Sequence, residues 1–245
     1  AREGLIGMCM TNTEAIMVPT FGRQAMLGTN PIAFSMPADP VPFTFDAATT
    51  VVPRGKLEVY NKNSKPLPTG WAADENGADC TDAEHALDCI SGKLGGGILP
   101  VGGAGEVNGG HKGYGYSMMC ELLCAITSGG ATSNHHVRAK GVGAGTCHSF
   151  IVIDPKIFGD AQQIKDNLSV FLEELRSAKR ADENIPIYTH GQKEKISLEK
   201  RMRDGIEVNI STVSEMLDVC KYLGMDSEKY IGSFDVSAAK KSSYE

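Results

Sequence analysis

Leu27-Gly28-Thr29-Asn30-Pro31-Ile32-Ala33-Phe34, followed by Phe45-Asp46-Ala47-Ala48-Thr49-Thr50, is the most informative stretch of the chain. Gly28 permits a tight turn that presents backbone N–H groups and short side chains. Pro31 then biases Asn30 towards an extended conformation and opens an apolar strand. Phe43-Thr44-Phe45 alternates like a second strand. It ends in Asp46 and the small residues Ala47, Ala48, Thr49 and Thr50, where a backbone could come close to a ribose or diphosphate. A plain strand, turn and strand with no ligand fits the same residues.

Leu5 to Met10 reads as a strand, and Ala1-Arg2-Glu3-Gly4 before it resembles the end of a helix, so the chain is expected to begin in mid-fold. Gly55 to Tyr60 is a strand or short helix, and residues 61 to 84 are mostly loop around Trp71, a loop anchor or a ligand platform. A glycine-rich run from Gly92 to Gly115 leads into a buried helix carrying Tyr116, Met118, Met119, Leu122, Leu123 and Ile126, ending near Ser128-Gly129-Gly130. Lys112 stands where that helix starts. Free N–H groups, the positive end of the helix dipole and an ammonium would attract phosphate or carboxylate there; a solvated lysine is the plainer reading. Ser149 to Pro155 reads as a buried strand, and Ile164, Leu168, Phe171, Leu172 and Leu175 mark an amphipathic helix. Beyond it follow a charged helix from Glu194 to Asp204, a short strand Ile206–Asn209, a helix from Thr212 to Leu223 capped by Ser211, and a disordered tail after Phe234. The expected division is a dinucleotide-binding domain over residues 1–192 and a C-terminal helical segment over 193–245.

The chain has 245 residues, 41% of them hydrophobic, which is enough for a proper core. No run approaches the roughly eighteen apolar residues of a membrane span, and a formal charge of -6 without a basic block argues against nucleic acid or an anionic membrane as partner. Seven cysteines, an odd number with no Cys-x-x-Cys pair, fit a reducing compartment, and a cytoplasmic protein is expected. Cys120 and Cys124 lie in an apolar run and read as core. The adjacent His135 and His136 lack further ligands, so no metal site is expected. Gly103-Ala104-Gly105 has Asn108, and Gly141-Val142-Gly143 has Thr146, where a Rossmann fingerprint needs its third glycine; neither has a convincing strand-to-helix context.

Taken together, several motifs resemble the type 2 malate/L-lactate dehydrogenases, a family that includes ureidoglycolate and sulfolactate dehydrogenases and diketogulonate reductase. They are Gly4-Leu5-Ile6-Gly7 with Thr11-Asn12-Thr13, Leu-Gly-Thr-Asn-Pro, Asp46-Ala47-Ala48-Thr49, Arg54-Gly55-Lys56, Gly70-Trp71-Ala72 with Asp74, and Lys112-Gly113-Tyr114-Gly115. The resemblance runs from Gly4 to Asn209. It implies an α/β fold with a mixed, largely antiparallel sheet flanked by helices, a non-Rossmann dinucleotide-binding fold usually found as a homodimer. It also implies hydride transfer between a nicotinamide and a small 2-hydroxy or 2-oxo acid, with malate or lactate as the default. Thr13, Asp46, Ala47, Ala48, Thr49, Thr50, Lys112, His190, Gly191 and Gln192 are the cofactor contacts it implies, although the family has proline where His190 stands. An Asp46 beside the adenosine ribose would favour NAD, with NADP as the alternative. The family's catalytic histidines sit in a Ser-His-Gly motif and a second upstream motif, neither of which occurs in this sequence, so no catalytic residue is assigned. A glycine-rich anion-binding or interaction domain without chemistry is the alternative function.

Overall fold

The computed structural model describes residues 1–136, 143 and 145–239. Four strands form an antiparallel sheet in the order β3-β2-β1-β6: β1 Ile6–Thr11, β2 Ile32–Met36, β3 Phe43–Ala47 and β6 His148–Ile153. A small antiparallel ribbon pairs β4 Ala72–Ala73 with β5 Gly97–Ile98. Among the described residues, parallel pairing is confined to isolated bridges such as Met17 with Ile98. Around the strands lie α1 Arg54–Lys62, α2 Ala83–Ser91, α3 Gly110–Glu121, α4 Ala161–Arg176, α5 Gln192–Asp204, α6 Ile210–Leu223 and the single turn α7 Ser227–Tyr230.

The register sorts the sheet into two unlike faces, because directly opposed residues share a side. Met8 stands opposite Phe34 and Ile151, and Phe34 opposite Phe45. This apolar face receives α3 and the π-helical turn Leu122–Ile126 that continues it, with Met10, Cys120 and Cys124 buried together against Met8, Ile32 and Cys147. The other face carries the small or polar Gly7, Cys9, Ala33, Ser35, Thr44 and Asp46 on β1, β2 and β3, with the exposed Phe150 and Val152 beside them on β6. A second core joins α1, α2 and the ribbon through Leu57, Leu67, Ala72, Leu87, Ile90 and Ile98. Trp71 packs against this core, edge-on to Tyr60 at 5.0 Å between ring centroids, so it is an anchor.

Six local expectations need correction. Asn30 has φ +37°, a left-handed conformation in place of the extended one favoured before proline. Its wholly buried side chain makes four hydrogen bonds that override the local bias. In α3 the inward residues are Gly110, Gly113, Ser117, Cys120 and Glu121, while Tyr116, Met119, Leu122, Leu123 and Ile126 are exposed. The large apolar stripe therefore marks the outer face; small residues occupy the inner one because the helix lies close against the backbone beneath it. β6 is an edge strand, with Phe150 and Val152 exposed instead of buried. Ile206–Asn209 forms no strand, having no neighbour to pair with, and Asn209 rather than Ser211 caps α6 by accepting from the Ser211 backbone N–H at 2.8 Å. Finally, α2 stands where a loop or no element is expected, started by Asp82, whose side chain accepts from the N–H groups of Glu84 and His85. The end of the tail, residues 240–245, lies outside the described residues, as do Gly141 and Val142 of the second glycine motif.

Candidate active site

The turn Gly28–Asn30 is held from below by buried polar groups. Glu121, on the inner face of α3, accepts at Oε1 from Asn30 Nδ2 (2.8 Å) and from the Ser133 hydroxyl, and at Oε2 from Ser133 N (3.2 Å) and Asn12 Nδ2 (3.3 Å). Asn30 Nδ2 also donates to Ser117 O, and its Oδ1 accepts from Thr13 N at 3.0 Å. Gly28 N donates to Ser133 Oγ, and a side chain on Gly28 would overlap Thr13 and Asn30. Glycine, threonine and asparagine at 28–30 are thus fixed by close packing and by tertiary hydrogen bonds, and they tie the turn to α3.

The same turn carries the Asp46–Thr50 corner. Thr49 N and Thr49 Oγ1 both donate to Thr29 O, at 2.8 and 2.9 Å, and Thr50 Oγ1 donates to Val52 O. Both hydroxyls are buried and committed to the chain, so these two residues shape the corner while Asp46 stands exposed on the small-residue face. Thr13 is committed in the same way, its Oγ1 accepting from Thr29 N at 3.1 Å.

Lys112 reaches this corner through the backbone. Val101 N donates to Thr49 O at 2.9 Å, and a Cβ on Gly113 would overlap the backbone of Val101. The glycine run makes that approach possible: a side chain on Gly102 would collide with Gly109 and Gly110, and one on Gly110 with the carbonyl oxygens of Gly103 and Gly105. Gly109, at φ +82°, is the N-cap of α3, and the methylenes of Lys112 fold back beside it. The first N–H groups of a helix lack a partner a full turn back, and that of Lys112 donates instead to Gly109 O at 2.8 Å. The main bodies diverge: α3 covers the apolar face of the sheet, and Asp46 lies on the opposite one.

His190, Gly191 and Gln192 wrap the free edge of β3. His190 O accepts from Thr44 N at 3.2 Å, its ring packs edge-on against Phe43 and Phe45, and Gly191 lies beside Pro42 and Thr44. Gln192 Oε1 accepts from Thr189 N at 2.9 Å. A cavity of about 680 Å³ opens here, lined by Ser35, Pro42, Thr44, Gly191, Lys195 and Leu198 among others, two residues along β3 from Asp46.

Other candidates resolve into structure. Asp74 Oδ1 accepts from Asn76 N and Ala78 N, each at 2.9 Å, which makes it a turn residue. His135 bonds Thr132 Oγ1, while the buried His136 sits beside Asn12 Nδ2 and Ala131 O, so the two rings face different neighbours. Sequence alone does not single out Glu121, whose one signal is an acid amid apolar residues, and gives Asn12 no role of its own within Thr11-Asn12-Thr13. Nor does it show the grouping of Glu75, His85 and Cys89.

The sequence pattern of the family described as malate/L-lactate dehydrogenase matches residues 1–217. A malate dehydrogenase of Pyrococcus horikoshii is 39% identical over 226 residues, covering 92% of this chain and 61% of that protein. An L-sulfolactate dehydrogenase of Methanocaldococcus jannaschii is 34% identical over 94% of this chain and 62% of that protein. The chain thus spans about three-fifths of the length of these relatives. Among solved structures, a malate dehydrogenase from Entamoeba histolytica superposes with a TM-score of 0.85 at 31% identity, over 92% of this chain and 63% of that one. Motifs, backbone and sequence agree over nearly the whole length, and the chain belongs to the malate/L-lactate dehydrogenase family.

Proposed function

We propose that this chain forms the coenzyme-binding part of a non-Rossmann, nicotinamide-dependent dehydrogenase acting on a small 2-hydroxy or 2-oxo acid, malate or lactate first. The observation that supports the reading is the backbone link from the Thr49 carbonyl through Val101 to Gly113, which joins the Thr49 end of the Asp46–Thr50 turn to the first turn of α3. Two features support the fit: glycines at 102, 110 and 113 let the chain's own backbone pack closely enough to bring the start of α3 up to Val101, and Gly7, Ala33 and Ser35 leave a low surface on β1 and β2. Lys112 and the first N–H groups of α3 would hold the diphosphate. Asp46, with the Ala47–Thr50 turn, would face the adenosine ribose, where its charge disfavours a 2′-phosphate and favours NAD over NADP. Thr13 fixes the turn beneath, and His190, Gly191 and Gln192 border the outer edge.

When bound, the nicotinamide supplies a C4 position that accepts or gives hydride. The acid or base that moves the hydroxyl proton is assigned to no residue of this chain. A homodimer is part of the proposal: Tyr116, Met119, Leu122, Leu123 and Ile126 form an exposed apolar stripe on α3, a surface of the kind that a second copy covers. Free cysteines throughout are consistent with a cytoplasmic protein, and among the described residues no helix is long and apolar enough to cross a membrane.

Titration with NADH and NADPH, followed by nicotinamide fluorescence, tests the reading. Saturable binding, tighter for NADH and weakened about tenfold or more in Lys112→Ala with an unchanged melting temperature, is expected; tenfold is about 1.4 kcal/mol. No binding of either nucleotide would favour a glycine-rich domain without redox chemistry.

A further inference from the structure

Outside the proposed coenzyme site, three side chains of different donor type converge. His85 and Cys89 stand one turn apart on α2, and Glu75 follows the β4 strand in the turn that faces them. Glu75 Oε2 is 2.9 Å from His85 Nε2 and 3.5 Å from Cys89 Sγ, and the sulfur is 3.7 Å from His85 Nε2. Zinc bonds of about 2.0 Å to oxygen, 2.0–2.1 Å to nitrogen and 2.3 Å to sulfur put the corners of a tetrahedron about 3.3–3.6 Å apart. The Glu75–Cys89 edge already has that length and the His85–Cys89 edge is close to it, while the Glu75–His85 edge, at 2.9 Å a hydrogen bond, must open by about 0.4 Å to admit the ion.

We propose that Glu75, His85 and Cys89 form a binding site for a borderline-soft divalent cation, Zn²⁺ by class, with a fourth position open to solvent. One thiolate, one imidazole and one carboxylate are a zinc donor set; a hard cation such as Mg²⁺ prefers an all-oxygen shell. The spacing suits chelation, because positions i and i+4 of a helix share one face. The third donor is held in place from both sides: Asp74 Oδ1 accepts from two backbone N–H groups of its turn, and Gly95 packs against the Glu75 Cα, where a Cβ would stand 3.2 Å away. Cys89 is 1% exposed, whereas the His85 and Glu75 side chains are 45% and 41% exposed. The metal would therefore sit at the surface end of a buried sulfur and cross-link α2 to the Glu75 turn. None of these three residues is among those assigned to the coenzyme, so the site stands independently of the proposed dehydrogenase function.

Cobalt supplies the test, since Co²⁺ replaces Zn²⁺ and is coloured. The whole protein, reduced and freed of metal with a chelator, is titrated with Co²⁺ and then back-titrated with Zn²⁺. One equivalent of Co²⁺ is expected to give a thiolate charge-transfer band with the strong visible bands of four-coordinate cobalt, both erased by Zn²⁺. Cys89→Ser should lose the charge-transfer band, and the exposed His85→Gln should bind about tenfold or more weakly while melting like the wild type in metal-free buffer. If Cys89→Ser does not fold, His85→Gln decides the matter alone. Absence of stoichiometric Co²⁺ binding, a band that persists in Cys89→Ser, or an unchanged affinity in His85→Gln would overturn the proposal.

Discussion

Replacing Glu121 by glutamine keeps the shape of the side chain and turns one acceptor oxygen into an NH₂ donor. The structure fixes the consequence, because both oxygens are taken by donors. With the NH₂ at the Oε2 position it faces Ser133 N, a backbone donor that cannot turn. With the NH₂ at the Oε1 position the Ser133 hydroxyl can rotate to accept, but Asn30 Nδ2 then meets another donor. Asn30 cannot flip its amide without breaking the bond that Thr13 N donates to its Oδ1. The cheaper arrangement leaves one buried donor opposed, which costs about 1–3 kcal/mol. For a chain of this length that lowers the melting temperature by roughly 2–4 °C per kcal/mol, or about 2–12 °C in all. Glu121→Ala removes all four acceptor contacts and is expected to melt lower still. Circular dichroism melts of the three proteins check the order, and a Glu121→Gln melt within about 1 °C of wild type would refute the claim that this carboxyl group is the hub of the turn.

Two further expectations follow from packing and burial. Gly113→Ala places a Cβ into the Val101 backbone; the helix must lift from the corner, so both the melting temperature and NADH affinity should fall, whereas Gly115→Ala, inside α3 with open space around it, should leave affinity unchanged and raise the melting temperature through helix propensity. Burial pushes the Cys120 thiol up to about 12 and, with the Glu75 hydrogen bond next, the Cys89 thiol up to about 11. In the metal-free protein both are then protonated and shielded at neutral pH, so timed alkylation should label the half-buried Cys9 and Cys147 well before Cys89, Cys120 and Cys124. The sign for stability follows: an unfolded thiol loses its proton near pH 8.5 while the folded ones keep theirs, so stability should fall as pH rises above that value towards 11 to 12.

Much of the sheet was legible in the sequence, since Leu5–Met10, Pro31–Phe34 and Phe43–Phe45 carry apolar alternation between turn residues, and the structure pairs all three. Lys112 at a helix start was legible too, from the glycine run before it. The face of that helix was not. Periodicity finds the apolar stripe but does not say whether the chain itself covers it, and in α3 the close contacts belong to Gly110, Gly113 and Ser117. α2 was overlooked because it is short and set between loop-like residues and the glycine run, although Asp82 is a strong N-cap and Ala83, Ala86, Leu87 and Ile90 lie at helical spacing. Glu121 and Asn30 were invisible for another reason: their partners lie 12 to 109 residues away in the chain, and no local pattern encodes a network assembled by the fold.

The central claim is that a nicotinamide coenzyme is held between the Asp46 corner and the Lys112 terminus. A structure of the protein with NADH bound tests it most directly. The account predicts diphosphate oxygens within hydrogen-bond reach of Lys112 Nζ and the first N–H groups of α3, with the adenosine ribose beside Asp46. A dinucleotide resting elsewhere, touching neither Lys112 nor Asp46, would contradict it.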